Sequence, residues 1–249
     1  MTLRLLSYNI RYGGTGREAA IAAVIRAAAP DLVVLQEATN AAVVEALARR
    51  TGMAQWGSRP GRSLGYLSRE PVAHAEWHKP RLSRHAFLEI VPRDGRWRTY
   101  GVHLAAVHAA WTERRRLYEL GALLAAIRRR EAGPHALIGD FNTVAPGEVL
   151  DVARLPGRLR ALVWLSGGRI RWRTIQTVLD NGYLDAYRHL QPDLVGNTFP
   201  TWDPHVRLDY LFVPGDYAPN VRSCTVVTVA PAPEASDHFP LLAELDVDF

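Results

Sequence analysis

Six short polar stretches of this 249-residue sequence carry side chains that bind cations or move protons, and each lies at the edge of an apolar run. Asn9 follows LLSY, Glu37 follows LVVLQ, His103 follows YGV, and Asp140 and Asn142 follow ALIG. Asp209 lies in RLDYLFV, and Asp237 and His238 lie in SDHFPL. Carboxylates and an amide oxygen suit a hard cation such as Mg²⁺ or Mn²⁺, whereas zinc favours more histidine or cysteine. Glu37 offers the main carboxylate and Asp237 a second. A neighbouring histidine can take a proton from water when a carboxylate fixes its tautomer, and Asp209 is available for that task. Taken singly, each residue has a plainer reading. Asn9 suits a turn, Glu37 an early helical position, His103 a satisfied strand, and Asp209 a local cap. Their shared placement at strand ends carries the weight, because polar strand ends collect on one edge of α/β sheets, where ligands bind.

The elements that must hold these residues can be read from periodicity. LRLLSYNI, DLVVLQE, LGYLSR, HAFLEIVP, WRTYGVHLA, HALIGDFN, LDYLFVP, SCTVVTVA and PLLAELDV are expected strands. DGR is the expected hairpin loop between two of them. Helices are expected over Glu18 to Ala29, stopped by Pro30, and over Thr39 to Thr51, ended by Gly52. A longer one is expected over Thr112 to Arg130, with Thr112 as its cap and Gly133-Pro134 as its stop. Strands in both halves with helices between them imply two packed sheets covered by helices. No linker or repeat divides the chain, so residues 1–249 are read as one domain, with a helical insertion over 147–177.

Composition narrows the classes. Hydrophobic residues make up 48% and charged residues 22%, which is ordinary for a folded globular protein, so disorder is not the default reading. The net charge is +5, and Lys79 is the only lysine among the basic residues. Arginine pairs bidentately with phosphate. Codon bias explains the arginine preference as well as a polyanionic partner does. Cys224 is the only cysteine, which rules out an intrachain disulfide and a cysteine-built metal site. The N-terminal run lacks the pattern of a signal peptide, and no apolar run reaches the ~18 residues of a spanning helix. A soluble, cytoplasmic protein is expected, with no protein partner indicated.

The order of SYNIR (7–11), LVVLQE (32–37), VHL (102–104), IGDFN (138–142), RLDYLFV (207–213) and SDHFPL (236–241) resembles the endonuclease/exonuclease/phosphatase superfamily, which includes deoxyribonuclease I. The resemblance spans nearly the whole chain. It implies an α/β four-layer sandwich, two mixed β-sheets packed face to face with helices on the outer faces. It also implies roles. Glu37 is the principal metal ligand, beside Asn9, and Asp237 is a second metal-side carboxylate. Asp140 positions or deprotonates the attacking water, or binds metal. Asn142 contacts phosphate. His238 is the base or a phosphate contact, oriented by Asp209. His103 helps to protonate the leaving oxygen or stabilises the transition state. Arg84, in the less specific match SRHAFLEI, contacts substrate phosphate.

The family shares its chemistry and differs in substrate. LQEATN lacks the lysine of the LQETK pattern, and histidine stands where abasic-site enzymes usually have tyrosine, so an abasic-site repair role is disfavoured. A nuclease acting on DNA or RNA leads. A lipid or small-molecule phosphodiesterase is the alternative, with Leu159 to Trp172 lying against an anionic membrane. Ordinary helix packing explains that segment too. A catalytically inactive binding domain ranks third, because the candidate set is intact.

Overall fold

Strands buried on both faces dominate the protein, and this explains why so many apolar runs are unbroken. The computed structural model describes residues 1–247 other than 82, 107–109, 131–132, 149–150, 155–156 and 166–172. Among the described residues the first half contains β1 (Thr2–Asn9), α1 (Glu18–Ala28), β2 (Leu32–Gln36), α2 (Ala41–Thr51), β3 (Gln55–Ser58), β4 (Gly65–Ser68), β5 (Val72–His78), β6 (Phe87–Pro92) and β7 (Arg98–His103). The second half contains α3 (Ala110–Arg129), β8 (His135–Asp140), α4 (Gly157–Leu165), α5 (Arg173–Asp180), β9 (Tyr183–Asp185), α6 (Ala186–Leu190), β10 (Asp209–Pro214), β11 (Val221–Val226), α7 (Ala232–Ala235) and β12 (Leu241–Asp246).

The strands form two six-stranded sheets, ordered β11-β12-β1-β2-β4-β3 and β5-β6-β7-β8-β10-β9. Each sheet is mixed. Its one parallel pair, β1 with β2 or β7 with β8, is joined by a crossover helix, α1 or α3. The two-residue side-chain period then sorts each strand between layers. Leu5, Val34, Ile90, Ile138 and Leu211 fill the space between the sheets. Leu6, Val33 and Leu35 face outward onto α1 and α2, whose Ile21, Val24, Val44 and Leu47 cover them. Leu137, Tyr210 and Phe212 face the other way, onto Leu120 and Leu124 of α3 and Ile175 of α5. The result is the four-layer sandwich expected from the sequence. Each fully buried leucine contributes about 2 kcal/mol of transfer free energy.

Local signals set the ends of the first two helices. Ala29 turns left-handed (φ 46°) and donates its N–H to Ile25 O, just before Pro30. Asn40 Oδ1 accepts the N–H of Ala42 and caps α2, which therefore starts two residues later than the expected Thr39. In α3 the expected start is also corrected. The helix begins at Ala110, and Thr112 is buried inside its first turn instead of capping it. The neighbouring Glu113 and Arg116 are buried as well, which turns this end of the helix into the protein. The expected insertion over 147–177 lies partly outside the described residues; its described parts include α4 and α5. Among the described residues, no helix is long and apolar enough to cross a membrane.

Two positions make the fold testable. Gly139, in β8, has φ +149°, and a Cβ there would sit 1.9 Å from Val102 O of the paired strand. Gly139→Ala should cost about 3 kcal/mol, read as a fall in the denaturant midpoint. Glu89, fully buried on β6, meets His78 Nε2 at 2.7 Å, Arg98 Nη1 at 2.7 Å and the guanidinium of Arg130. Burial works to raise its pKa, but these three partners outweigh burial and hold it below the usual carboxylate range. A depressed carboxylate stabilises the fold above its unfolded pKa and ceases to do so as pH falls through its folded one. Glu89→Gln should therefore cost about 3 kcal/mol at pH 7. The gap from wild type should close as the pH of the unfolding measurement is lowered through the acid range.

Candidate active site

Strand register decides which polar side chains meet. His103 at the end of β7 pairs with Asp140 at the end of β8, and Asp140 pairs in turn with Asp209 at the start of β10. These three form one row across the second sheet. In the first sheet Asn9 pairs with Gln36, so Asn9 and Glu37 leave adjacent strand ends. Asp237 and His238 come from the short turn between α7 and β12. Ser236 Oγ in that turn donates to Asn9 O at 2.6 Å, and Thr201 N–H donates to Asp237 O at 3.0 Å.

Asp140, 1% exposed, is the centre. Its Oδ1 accepts the N–H of Asn142 at 2.8 Å. Its Oδ2 accepts Nδ2 of Asn142 and Nδ2 of Asn9, each at 3.0 Å. Asn142 is held left-handed (φ 53°), and its Nδ2 also donates to Leu104 O at 3.0 Å. His238 Nε2 stands 3.9 Å and His103 Nε2 4.0 Å from the same Asp140 Oδ2. Both distances exceed a hydrogen bond and suit an oxygen atom bridging the groups. His238 Nδ1 donates to Asp209 Oδ2 at 2.9 Å, which turns Nε2 toward Asp140. The ring of Phe199 packs 4.8 Å from the His238 ring.

The other candidates lie around this centre. Glu37 (φ 55°) accepts the Tyr12 N–H on Oε2 at 2.5 Å. Asp237 Oδ2 lies 3.3 Å from Arg11 Nε. Both carboxylates thus reach the segment that follows Asn9, and Arg11 N–H donates to Asn9 Oδ1 at 3.0 Å. Arg84 sits apart. Its N–H donates to Glu119 Oε1 at 3.2 Å, and its side chain is exposed. Among the candidate residues, Asp140, Asp209 and His238 form a tight group of potential ligands, their ligand atoms within 4.8 Å of one another. Glu37 and Asp237 stand outside that group because each is turned toward the Arg11–Tyr12 segment.

Several supporting residues escaped the sequence reading. Glu119, fully buried on α3, accepts from Ser83 Oγ at 2.8 Å and lies 3.4 Å from His85 Nδ1. The His85 ring lies 5.6 Å from the His103 ring. Arg207 is buried in a bidentate pair with Asp185, at 3.0 and 2.6 Å, and also contacts Glu148. It anchors the approach to Asp209, while Thr198 Oγ1 accepts the N–H of Leu208. His85 adjoins the singled-out Arg84, so its position was within reach. A glutamate in the middle of a helix carries no such signal.

Environment separates the two imidazoles. Burial alone would lower the His238 pKa, but Asp209 and then Asp140 outweigh it and raise the group to about 9. Burial lowers His103 to about 3, helped by His85 and His238, so this ring is neutral. Among the described residues its buried Nδ1 has no hydrogen-bond partner. Burial raises Asp140, with cationic His238 acting against it. Asp209 Oδ1 is likewise buried with no hydrogen-bond partner among the described residues. The Glu37 and Asp237 carboxylates and the Asn9 amide oxygen, all reaching the Arg11–Tyr12 segment, are a donor set that fits a hard divalent cation.

Sheets and helices together define a class, the α/β sandwiches built on two mixed six-stranded sheets. The chain belongs to the Endonuclease/Exonuclease/phosphatase family, whose sequence model matches residues 6–238. No curated protein matches it in sequence. Among solved structures it is similar in fold to a 3′ phosphatase from Neisseria bound to product DNA hairpin, with a TM-score of 0.74 at 18% identity, covering 98% of this chain and 99% of that one. An AP endonuclease from Archaeoglobus fulgidus gives a TM-score of 0.74 at 18% identity, over 98% and 99% of the two chains. An endonuclease/exonuclease/phosphatase from Beutenbergia cavernae gives 0.72 at 22% identity, over 98% of this chain and 71% of that one.

The contact between His238 and Asp209 can be tested in protein stripped of divalent ions. Asp209→Asn removes the nearest negative charge, so the His238 titration midpoint, followed by NMR, should fall from its raised value. An unmoved midpoint would mean that Asp209 does not set the charge of this ring.

Proposed function

We propose that the protein is a divalent-cation-dependent phosphodiesterase that cleaves nucleic acid by in-line attack of water. The observation that carries this reading is the Asp140 carboxylate, fixed by three N–H donors and flanked by two imidazole nitrogens at 3.9 and 4.0 Å. Those donors favour the ionised form of Asp140, which orients an attacking water and accepts its proton. His238, raised by its carboxylate neighbours, gives a hydrogen bond from Nε2 to a phosphoryl oxygen, and Asp209 holds its ring in place. His103 is neutral, so it contributes one aimed donor rather than a full positive charge. Asn142, whose two amide hydrogens go to Asp140 and Leu104, holds the carboxylate in place rather than reaching phosphate, and Arg84, exposed beside His85, adds positive charge.

Glu37 with Asn9, and Asp237 as a second carboxylate, would hold Mg²⁺ or Mn²⁺. When bound, such an ion neutralises charge that builds on the phosphoryl and leaving oxygens. Nucleic acid is favoured as substrate by the net charge of +5 and by arginine at the rim of the site. A second reading, hydrolysis of lipid phosphodiesters at an anionic membrane, is favoured by Trp164 and Leu165, both exposed at the end of α4.

With bis(4-nitrophenyl) phosphate, activity should appear with Mg²⁺, vanish with EDTA and return when Mg²⁺ is restored. Glu37→Gln, Asp140→Asn and His238→Ala should each lower kcat by ~10²–10³-fold while circular dichroism stays native. Activity indifferent to EDTA would overturn the cation-dependent reading. Plasmid nicking that disappears in His238→Ala supports the nuclease. Cleavage of anionic phospholipid vesicles without nicking supports the lipid hydrolase.

A further inference from the structure

Two large aromatic side chains stand in solvent at the rim of the site. Tyr12 is 79% and Trp202 66% exposed, although tryptophan is on average a highly buried residue. Arg11 joins them, with its guanidinium carbon 5.4 Å from the Tyr12 ring centre and 6.0 Å from that of Trp202. Its Nε reaches Asp237 Oδ2 at 3.3 Å. The three side chains therefore form one continuous surface of two ring faces and a cation, joined directly to candidate site residues.

That surface is held in place. Arg11 and Tyr12 both take positive φ, 49° and 48°, where non-glycine residues are rare. The Tyr12 N–H is fixed on Glu37, and Arg17 clamps the turn from below through Ile10 O at 2.9 Å and through Arg11 O. Trp202 follows Thr201, whose N–H is bound to Asp237 O, and its ring meets Phe199 edge-on at 6.4 Å. Phe199 in turn packs on His238. Each ring is thus indexed to the Asp140–His238 centre.

Rigid exposed rings beside a cation match a ligand that is flat, aromatic and attached to a phosphate. Stacking on aromatic faces grips nucleobases without regard to their identity, and arginine adds a cation–π contact. We propose that Tyr12 and Trp202, bridged by Arg11, are a stacking subsite for a nucleobase next to the scissile phosphate. This rests on the nuclease reading above and deepens it: the enzyme takes hold of an unpaired base as well as the phosphate chain.

The test compares a single-stranded oligonucleotide with one of equal length that carries reduced abasic residues around the cleavage position. Wild type should cleave the base-bearing strand with the higher kcat/KM. Trp202→Ala should lower kcat/KM on that strand by ~10-fold or more, chiefly through KM, and bring the ratio between the two strands toward one. Tyr12→Ala should act in the same direction. Trp202→Phe keeps a ring face and should preserve the ratio. Equal losses on both strands, or none on either, would overturn the subsite and leave the nuclease reading standing. If wild type cleaves bis(4-nitrophenyl) phosphate but neither strand, the nuclease reading fails and the subsite falls with it.

Discussion

The hydrogen bond from Asn9 Nδ2 to Asp140 Oδ2 joins the two sheets at the point where the candidate chemistry sits. Asn9 ends a strand of one sheet and Asp140 a strand of the other. A buried carboxylate is costly unless fully hydrogen-bonded. Asp140 therefore constrains its surroundings. Asn142 must curl back in a left-handed turn, and Asn9 must arrive from the facing sheet. The geometry around this one anion depends on how the two sheets pack, and any slippage between them would leave it short of a donor.

The same row of residues sets up an electrical contrast. His238 and His103 stand at nearly equal distances from Asp140 Oδ2, yet one is raised and the other lowered. The difference lies in what backs each ring. Behind His238 is the Asp209 carboxylate, whereas His103 has an unsatisfied Nδ1 and another imidazole beside it. Two residues of one type can thus take different parts in a reaction, the first as a cation and the second as a neutral donor.

The central strands were legible in the sequence because burial on both faces makes them continuous apolar runs, and each such run delivers a polar residue at its end. The strands that went unread, β3, β5 and β9, all lie at sheet edges. An edge strand has less apolar surface to bury, so QWGS and VAHAEWH carry a mixed pattern that resembles loop. The SYN, LQE, VHL, GDFN, RLD and SDH stretches named the candidate residues, and the structure gathers Asn9, His103, Asn142, Asp209 and His238 around the Asp140 carboxylate. The supports were hidden for a different reason. Glu119, Arg207 and Ser236 act through partners far away in sequence, and neither spacing nor residue type announces such a partner.

The strand that opens the chain lies between β12 and β2, paired with β12 from Thr2 opposite Asp246 to Ser7 opposite Leu241. Asn9 and Glu37 stand far from His238 in sequence, so the rim closes only when β12 takes its place beside β1. Without β12, β1 would have an open edge, and the turn that carries His238 would lose the strand it leads into. The site is therefore a property of the closed sheet and of no single local stretch, and neither half of the rim is formed without the other.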